Sequence, residues 1–442
     1  MEYKVFVSRV FEAAQKAGIA PAEIAYSRGE SFSVRVRQSK MQDYEVSEGI
    51  GLTLRGVYGG RIGTSSTQAI DEESIDMLVQ GVKESAALIE TDEQDKILPP
   101  DPAYGEVKNY EPELENVTAQ QKIDLAMKID DLMQHQDARI TPDDTVVSSA
   151  VETFCLMNTL GLDLEHRSNM IYAYTGALAK ADGKAATDNQ IRWGYGLDAI
   201  APEELAACCC KETLAKLEAG SMKSGPVKVV IKNTAMADFL KTFCGVFSAD
   251  NAQKGLSLLA GREGEKAASD VVTLTDDPLM AWGLGSCPFD REGAAEKTKN
   301  IIENGVLTTL LHNRKTAKKA GVETTGNAGG AGRVSPSNLF IVPGDKTLDE
   351  LFAEMGDGLY LTEISGLHAG ANPISGDFSL LSRGCEVKGG KIVRQVEQFT
   401  VSGNFYQLLK DIECVGSDLK FEASSIGAPS VLAANLNVAG AN

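Results

Sequence analysis

Two short runs in the second half of the chain constrain its fold most tightly. Ile301-Ile-Glu-Asn-Gly-Val-Leu307 sets an Asn-Gly pair between apolar residues, and Val387-Lys-Gly-Gly-Lys-Ile-Val393 sets a Gly-Gly pair in the same way. Both dipeptides suit turns whose left-handed backbone matches the twist of two antiparallel strands, so each run predicts a β-hairpin. From Val227 onward the Gly-rich chain is therefore expected to be mostly antiparallel sheet. Short helices are expected to interrupt it near residues 233–246, 314–320, 347–355 and 404–413.

The first half reads differently. Val5, Phe6, Val10, Phe11 and Ala14 fall near helical spacing and stop at Gly18, which predicts an opening amphipathic helix. Residues 31–37 and 51–58 alternate apolar and polar side chains, as half-buried strands do, and form a small sheet. Helical periodicity returns over 71–89. Leu98-Pro-Pro-Asp-Pro102 and Glu111-Pro112 then break every regular pattern, which predicts a linker over 91–117. Thr118 with Gln121 forms a capping-box pair for a helix whose apolar face is Ile123, Ala126, Ile129 and Met133. Strands are expected at 144–157, 162–180 and 190–197, then a helix from Pro202 to Gly220, then a boundary at 221–226. The expected fold is α+β: a small N-terminal α/β domain (1–90), the linker, a middle strand-and-helix domain (118–220), and a C-terminal domain dominated by antiparallel β-sheet (225–442).

With 442 residues, 43% of them apolar, the chain can build two or three cores. Acidic side chains outnumber basic ones by 62 to 43, and a net charge of −19 disfavours direct contact with nucleic acid, which needs clustered cations against phosphates. No apolar run is long enough to cross a bilayer, and Met1-Glu-Tyr-Lys-Val-Phe lacks the layout of a signal peptide, so no membrane association and a cytoplasmic address are expected. The eight cysteines include no Cys-x-x-Cys pair and read as reduced, mostly buried thiols; Cys208, Cys209 and Cys210 point about 100° apart on a helix and cannot share a metal.

Only four histidines are present, His135, His166, His312 and His368, and no two lie within one helical turn, so a two-histidine zinc motif cannot be built locally. Gly326-Asn-Ala-Gly-Gly-Ala-Gly-Arg333 lacks the Lys-Ser/Thr of a phosphate-binding loop and suits close approach of another chain instead. His368, Ser375, Asp377 and Ser379 could form a hydrolase constellation, but no Gly-x-Ser-x-Gly elbow surrounds either serine. Asn372-Pro-Ile-Ser-Gly-Asp-Phe-Ser379 reads as a turn entering a central strand.

The runs Thr324-Thr-Gly-Asn-Ala-Gly-Gly330, Gly356-Asp-Gly-Leu-Tyr-Leu-Thr-Glu363 and Asn372–Ser379 closely resemble the C-terminal signature of the TldD/PmbA family, also called modulators of DNA gyrase, which are cytoplasmic peptidase subunits. The catalytic members carry His-Glu-x-x-x-His on the first long helix of the C-terminal domain. Alignment on Gly245 sets Lys241 and Val246 where those members have zinc histidines, Thr242 where they have the catalytic glutamate, and Ala428 where they have a cysteine. The resemblance therefore implies a PmbA-type chain with no cofactor of its own. It would pair with a zinc-bearing TldD-like subunit, or with itself in isolation, in a metallopeptidase acting on unfolded or modified peptides. The expected pairing surface is the C-terminal domain. His368, Asn372, Ser375, Gly376, Asp377 and Ser379 are the expected substrate-binding positions, with the strand Asp377–Leu381 offering an edge to an extended peptide. Two other readings are a self-sufficient hydrolase with an unrecognised site, and a regulatory binding protein of a toxin or topoisomerase system.

Overall fold

The structure, a computed structural model, describes residues 2–89 and 96–440. Residues 90–95, where the linker is expected to begin, lie outside the described residues, as do 1 and 441–442. Helix α1 (Tyr3–Lys16) leads into strands β1 (Ala22–Arg37), β2 (Lys40–Tyr58) and β3 (Arg61–Thr67) and helix α2 (Glu72–Ala87). After a 3-10 turn at 112–116 come α3 (Ala119–Gln134), β4 (Ile140–Asn158), β5 (Asp163–Ala181), β6 (Lys184–Gly194) and α4 (Pro202–Leu217). The helix starts follow local chemistry. Asp71 accepts the Ser74 N–H at 2.9 Å, Thr118 and Gln121 close the expected capping box, and Pro202 opens α4.

The strands outrun their expected windows, and they do not form separate sheets. All six lie in one antiparallel sheet of order β3-β2-β1-β4-β5-β6, with β1 paired to β4 from Glu23↔Asn158 to Val36↔Thr145. The expected small N-terminal sheet is thus half of a larger one, because β4 covers the edge that β1 would otherwise leave open. On one face Ile24 and Tyr26 pack under α1 and α2, while Phe32, Val34 and Val36 pack under α3 and α4. The other face packs Phe154 and Leu156 against Tyr104 and Phe289. From Lys96 onward the expected linker is a fixed strap: Ile97 and Leu114 are buried, and the Tyr104 hydroxyl donates to the Gly293 carbonyl at 3.0 Å.

The C-terminal part begins with β7 (Gly225–Ile231), α5 (Asn233–Phe243), α6 (Ala249–Gln253), β8 (Leu274–Asp276), β9 (Lys299–Glu303), β10 (Val306–Leu307) and α7 (Arg314–Ala320). It continues with β11 (Leu339–Ile341), α8 (Leu348–Met355), β12 (Gly358–Ser365), α9 (Leu367–Gly370), β13 (Asp377–Lys388), β14 (Lys391–Asn404) and α10 (Phe405–Lys410). Four strands end it: β15 (Ile412–Val415), β16 (Lys420–Phe421), β17 (Ile426–Ala428) and β18 (Val431–Ala439). Both expected hairpins form, with Asn304 and Gly305 at φ 47° and 82° and Gly389 and Gly390 at 55° and 74°.

Two sheets result, β10-β9-β8-β11-β17-β16 and β14-β13-β12-β7-β18-β15, and in the second β14 also pairs with β18, which rolls it shut. The antiparallel expectation fails at two places, since β7 runs parallel to β12 and β11 to β17. Each of those connections crosses over through helices and loops instead of a tight turn, which a parallel pair requires. Helix α5 sits in the largest core: Phe239, Leu240 and Phe243 are fully buried among residues of both sheets.

Candidate functional site

Helix α5 is the place where the resemblance puts a metal site. Lys241 and Thr242 occupy its last turn, Val246 sits in the 3-10 turn Cys244–Phe247 that follows, and α5 packs against β17, which carries Ala428. Lys241 is exposed, the Thr242 hydroxyl donates to the Asp238 carbonyl at 2.8 Å, and Val246 and Ala428 are buried at 1% and 0% exposure. A cation, a hydroxyl bonded back into its own helix and two buried apolar side chains cannot hold zinc or take a proton from its water. Among the described residues no three His, Cys, Asp or Glu side chains gather as a metal ion requires. The cysteine triplet disperses as its helical spacing implies: the Cys209 thiol points to the Thr175 carbonyl and that of Cys210 to the Met133 sulfur.

Asn372–Ser379 forms the expected turn, on the surface. The Asn372 side-chain oxygen accepts the N–H groups of Ile374 and Ser375 at 3.0 and 3.2 Å, and Ser375 donates to Asp377 at 2.8 Å. Asn404 donates to the Ser375 carbonyl and to Asp377 at 2.8 and 2.9 Å; the hydrogen bonds from Asn404 and Ser375 hold the Asp377 carboxyl below its usual range. His368 is exposed on α9 and makes no hydrogen bond to these groups, so a Ser-His-Asp relay is not assembled. The expected open edge is also absent. Along Asp377–Leu381, β14 occupies one side, while Ser365 and the bridge Ala371↔Phe378 occupy the other. A peptide cannot add as a strand to an edge whose groups are already paired.

A polar cleft of about 330 Å³ lies elsewhere, between the outer face of β4 and β5 and the loops 284–296 and 327–337. Glu296 and Asp290 lie in its wall, and Asp276 lies directly behind it, fully buried. Asp276 accepts from Asn327 at 2.8 Å, from the Ser337 N–H at 2.7 Å and from Lys299 at 3.2 Å. Asp290 accepts the N–H groups of Glu292, Ala294 and Ala328 at 2.9, 2.9 and 3.0 Å. Ser337 donates to Glu296 at 2.5 Å; burial nonetheless pushes the Glu296 carboxyl up to about 8. Burial also lowers His166, whose Nε2 has no protein partner among the described residues, and drives the Cys287 thiol up to about 12. A protonated acid, a neutral imidazole and a protonated thiol do not make an activated nucleophile. These groups instead tie the glycine-rich loop 326–333 to residues 290–296 of the same chain; no phosphate cradle forms, since neither a strand nor a long helix flanks the loop.

Three family models match the chain in order: PmbA/TldA metallopeptidase domain 1 over residues 22–86, the central domain over 112–217 and the C-terminal domain over 224–440. A Thermotoga maritima crystal structure described as a candidate modulator of a DNA gyrase is 33% identical, with a TM-score of 0.93, and the match covers 99% of this chain and all of that one. The chain belongs to the PmbA/TldD family. Among PmbA/TldD relatives, the metalloprotease PmbA of Escherichia coli O157:H7 is 26% identical over 95% of this chain and 92% of its own length. The fold is also that of TldE from Thermococcus kodakarensis, with a TM-score of 0.89 at 20% identity over 98% of this chain and all of that one.

Within that PmbA/TldD fold, the residues legible in sequence fall in two places, α5 with β17 and the 372–379 turn. The buried acids Asp276, Asp290 and Glu296 were not singled out by sequence reasoning. In sequence they stand beside other charged residues, Asp277, Arg291 and Lys297, and nothing there says what faces them.

Proposed function

We propose that this chain is the PmbA-type subunit of a cytoplasmic metallopeptidase complex that acts on unfolded or modified peptides, that it lacks a zinc site of its own, and that it guides substrate for a TldD-like partner. The observation that carries this reading is the state of α5. Lys241 faces solvent, Thr242 is bonded to its own helix, and Val246 is packed into the core. Pairing is supported by apolar side chains left in water around the 372–379 turn. Leu258, Ile374 and Leu381 are 54%, 43% and 55% exposed, and Tyr406 links the first two by hydrogen bonds to the Leu258 N–H and the Ile374 carbonyl. The turn then serves as a rim against the partner, and peptide is held between the two subunits, not on β13.

The test is peptide cleavage by the chain alone, by its TldD-like partner alone and by the mixture, with elemental analysis of each. Activity in the mixture, with zinc on the partner only, is expected. One tightly held zinc per chain, lost on His312→Ala or His368→Ala, would sink the reading.

A further inference from the structure

A second, larger cavity of about 580 Å³ lies on the outer face of the N-terminal sheet, where β1 and β2 meet α7 and the strap at 96–101. In a chain of net charge −19 its lining is inverted: among the described residues it presents six Lys and Arg against three Asp and Glu. Arg55, Lys96, Arg314, Lys318 and Lys319 come from three separate elements, so the fold and not one basic stretch gathers them. Two of the three acids lie beside these cations, Glu23 at Arg55 and Asp101 at Arg314, and neither is hydrogen-bonded to the Arg314 guanidinium. Glu23, paired in register with Arg55 and 3.4 Å from its guanidinium, is only 3% exposed, and burial raises its carboxyl above the ordinary value. Asp101 gives one oxygen to the Ala295 N–H at 2.7 Å, leaving the other 3.9 Å from the Arg314 guanidinium, beyond hydrogen-bond reach. Glu292 accepts the Arg314 backbone N–H at 2.9 Å. The Arg314 side chain, 19% exposed, thus holds a planar fork of donors in a recess where, among the described residues, no carboxylate is seated on it. Leu98, Ala317 and Val322 supply apolar wall beside the cations.

We propose that this cavity is a binding site for a carboxylate carried on an apolar body, with Arg314 as the fork that receives the carboxylate and Lys318 and Lys319 at the rim. Its volume suits a ligand of small-molecule or tripeptide size, and its place between two layers of the fold is where such sites form. The same chemistry is offered by the C-terminal end of a short peptide and by an aliphatic acid. The inference does not rest on pairing with another subunit.

Calorimetric titration of the full-length chain tests it, using acetyl-Leu-Ala-Leu with a free carboxylate, the same peptide as its amide, sodium octanoate and inorganic phosphate. Binding of the free-acid peptide, of octanoate or of both supports the site, and which of them binds names the source. Amidation is expected to weaken peptide binding by about tenfold or more, as loss of a charge-assisted pair does. Lys319→Glu, on the exposed rim, and Arg314→Gln are expected to do the same while circular dichroism stays unchanged. Binding of neither acid, equal binding of the amide, phosphate binding as tight as either acid, or wild-type affinity in a folded Arg314→Gln chain would each overturn the proposal. Glu90, Asp92, Glu93 and Asp95 precede Lys96 in sequence and carry the same chemistry. If the acids bind only after these four are changed to Gln and Asn, the cavity answers to the chain's own carboxylates and the proposal of an external ligand fails.

Discussion

Glu296 shows how far a single residue departs from what its type suggests. Its carboxyl moves from 4.5 to about 8 because burial outweighs the hydrogen bond from Ser337 and the pull of Lys299. The folded state therefore keeps a proton that the unfolded chain has released over that interval. Stability from this group is whole below pH 4.5 and is lost as pH rises toward 8, with a slope of at most about 1.4 kcal/mol per pH unit. Glu296→Gln should remove that slope, so urea unfolding at pH 5, 6.5 and 8 should favour the variant increasingly over wild type; a constant difference would show that Glu296 is charged when folded. Gly376 makes a second point at this scale. Its φ is 81°, and an added Cβ would meet the Tyr406 ring at 2.6 Å, so Gly376→Ala should cost about 1–3 kcal/mol in thermal unfolding. A valine there would impair the turn itself, which makes it a poor probe of peptide contact; an unshifted midpoint for the alanine variant would mean that Tyr406 gives way freely.

At the scale of an element, α5 ends one turn too early to carry a metal motif. After Phe243 the backbone tightens into the 3-10 turn Cys244–Phe247, which places Val246 in the same core as Phe239 and Phe247. Writing the missing motif back as K241H/T242E/V246H is therefore expected to yield no zinc binding. The buried imidazole should cost about 2 kcal/mol or more, since its polar nitrogens would enter an apolar core without partners. Elemental analysis with thermal unfolding decides this, and a variant that holds one zinc and keeps its midpoint would show that the turn rewinds.

For the whole molecule, the sheet that spans both N-terminal segments makes a definite claim. β1 and β4 are paired over their length, while β1 belongs to the segment before the strap and β4 to the segment after it. A protease site inserted between Ile89 and Lys96 and then cut should leave the two fragments co-eluting on size exclusion. Dissociation of the first fragment in native buffer would mean that the segments fold as independent domains.

The hairpins at 304–305 and 389–390, the capping box of Thr118 and the helix over 314–320 were determined by the sequence alone, because each depends on contacts within a few residues. So were the helical spacing that keeps Cys208, Cys209 and Cys210 apart and the local absence of any paired histidines. Tertiary structure alone decided that β4 joins β1, that β7 and β11 take parallel neighbours, and that β14 closes onto β18. Strand windows show which residues alternate, not which edge they meet. The same holds for charge: Asp276 and Glu296 read as two more acids in an acidic chain, and Arg55 and Arg314 lie 259 positions apart in sequence. Their chemistry depends on burial and on the neighbours that chain packing brings across that distance, since solvation and Coulomb energy are properties of position in space.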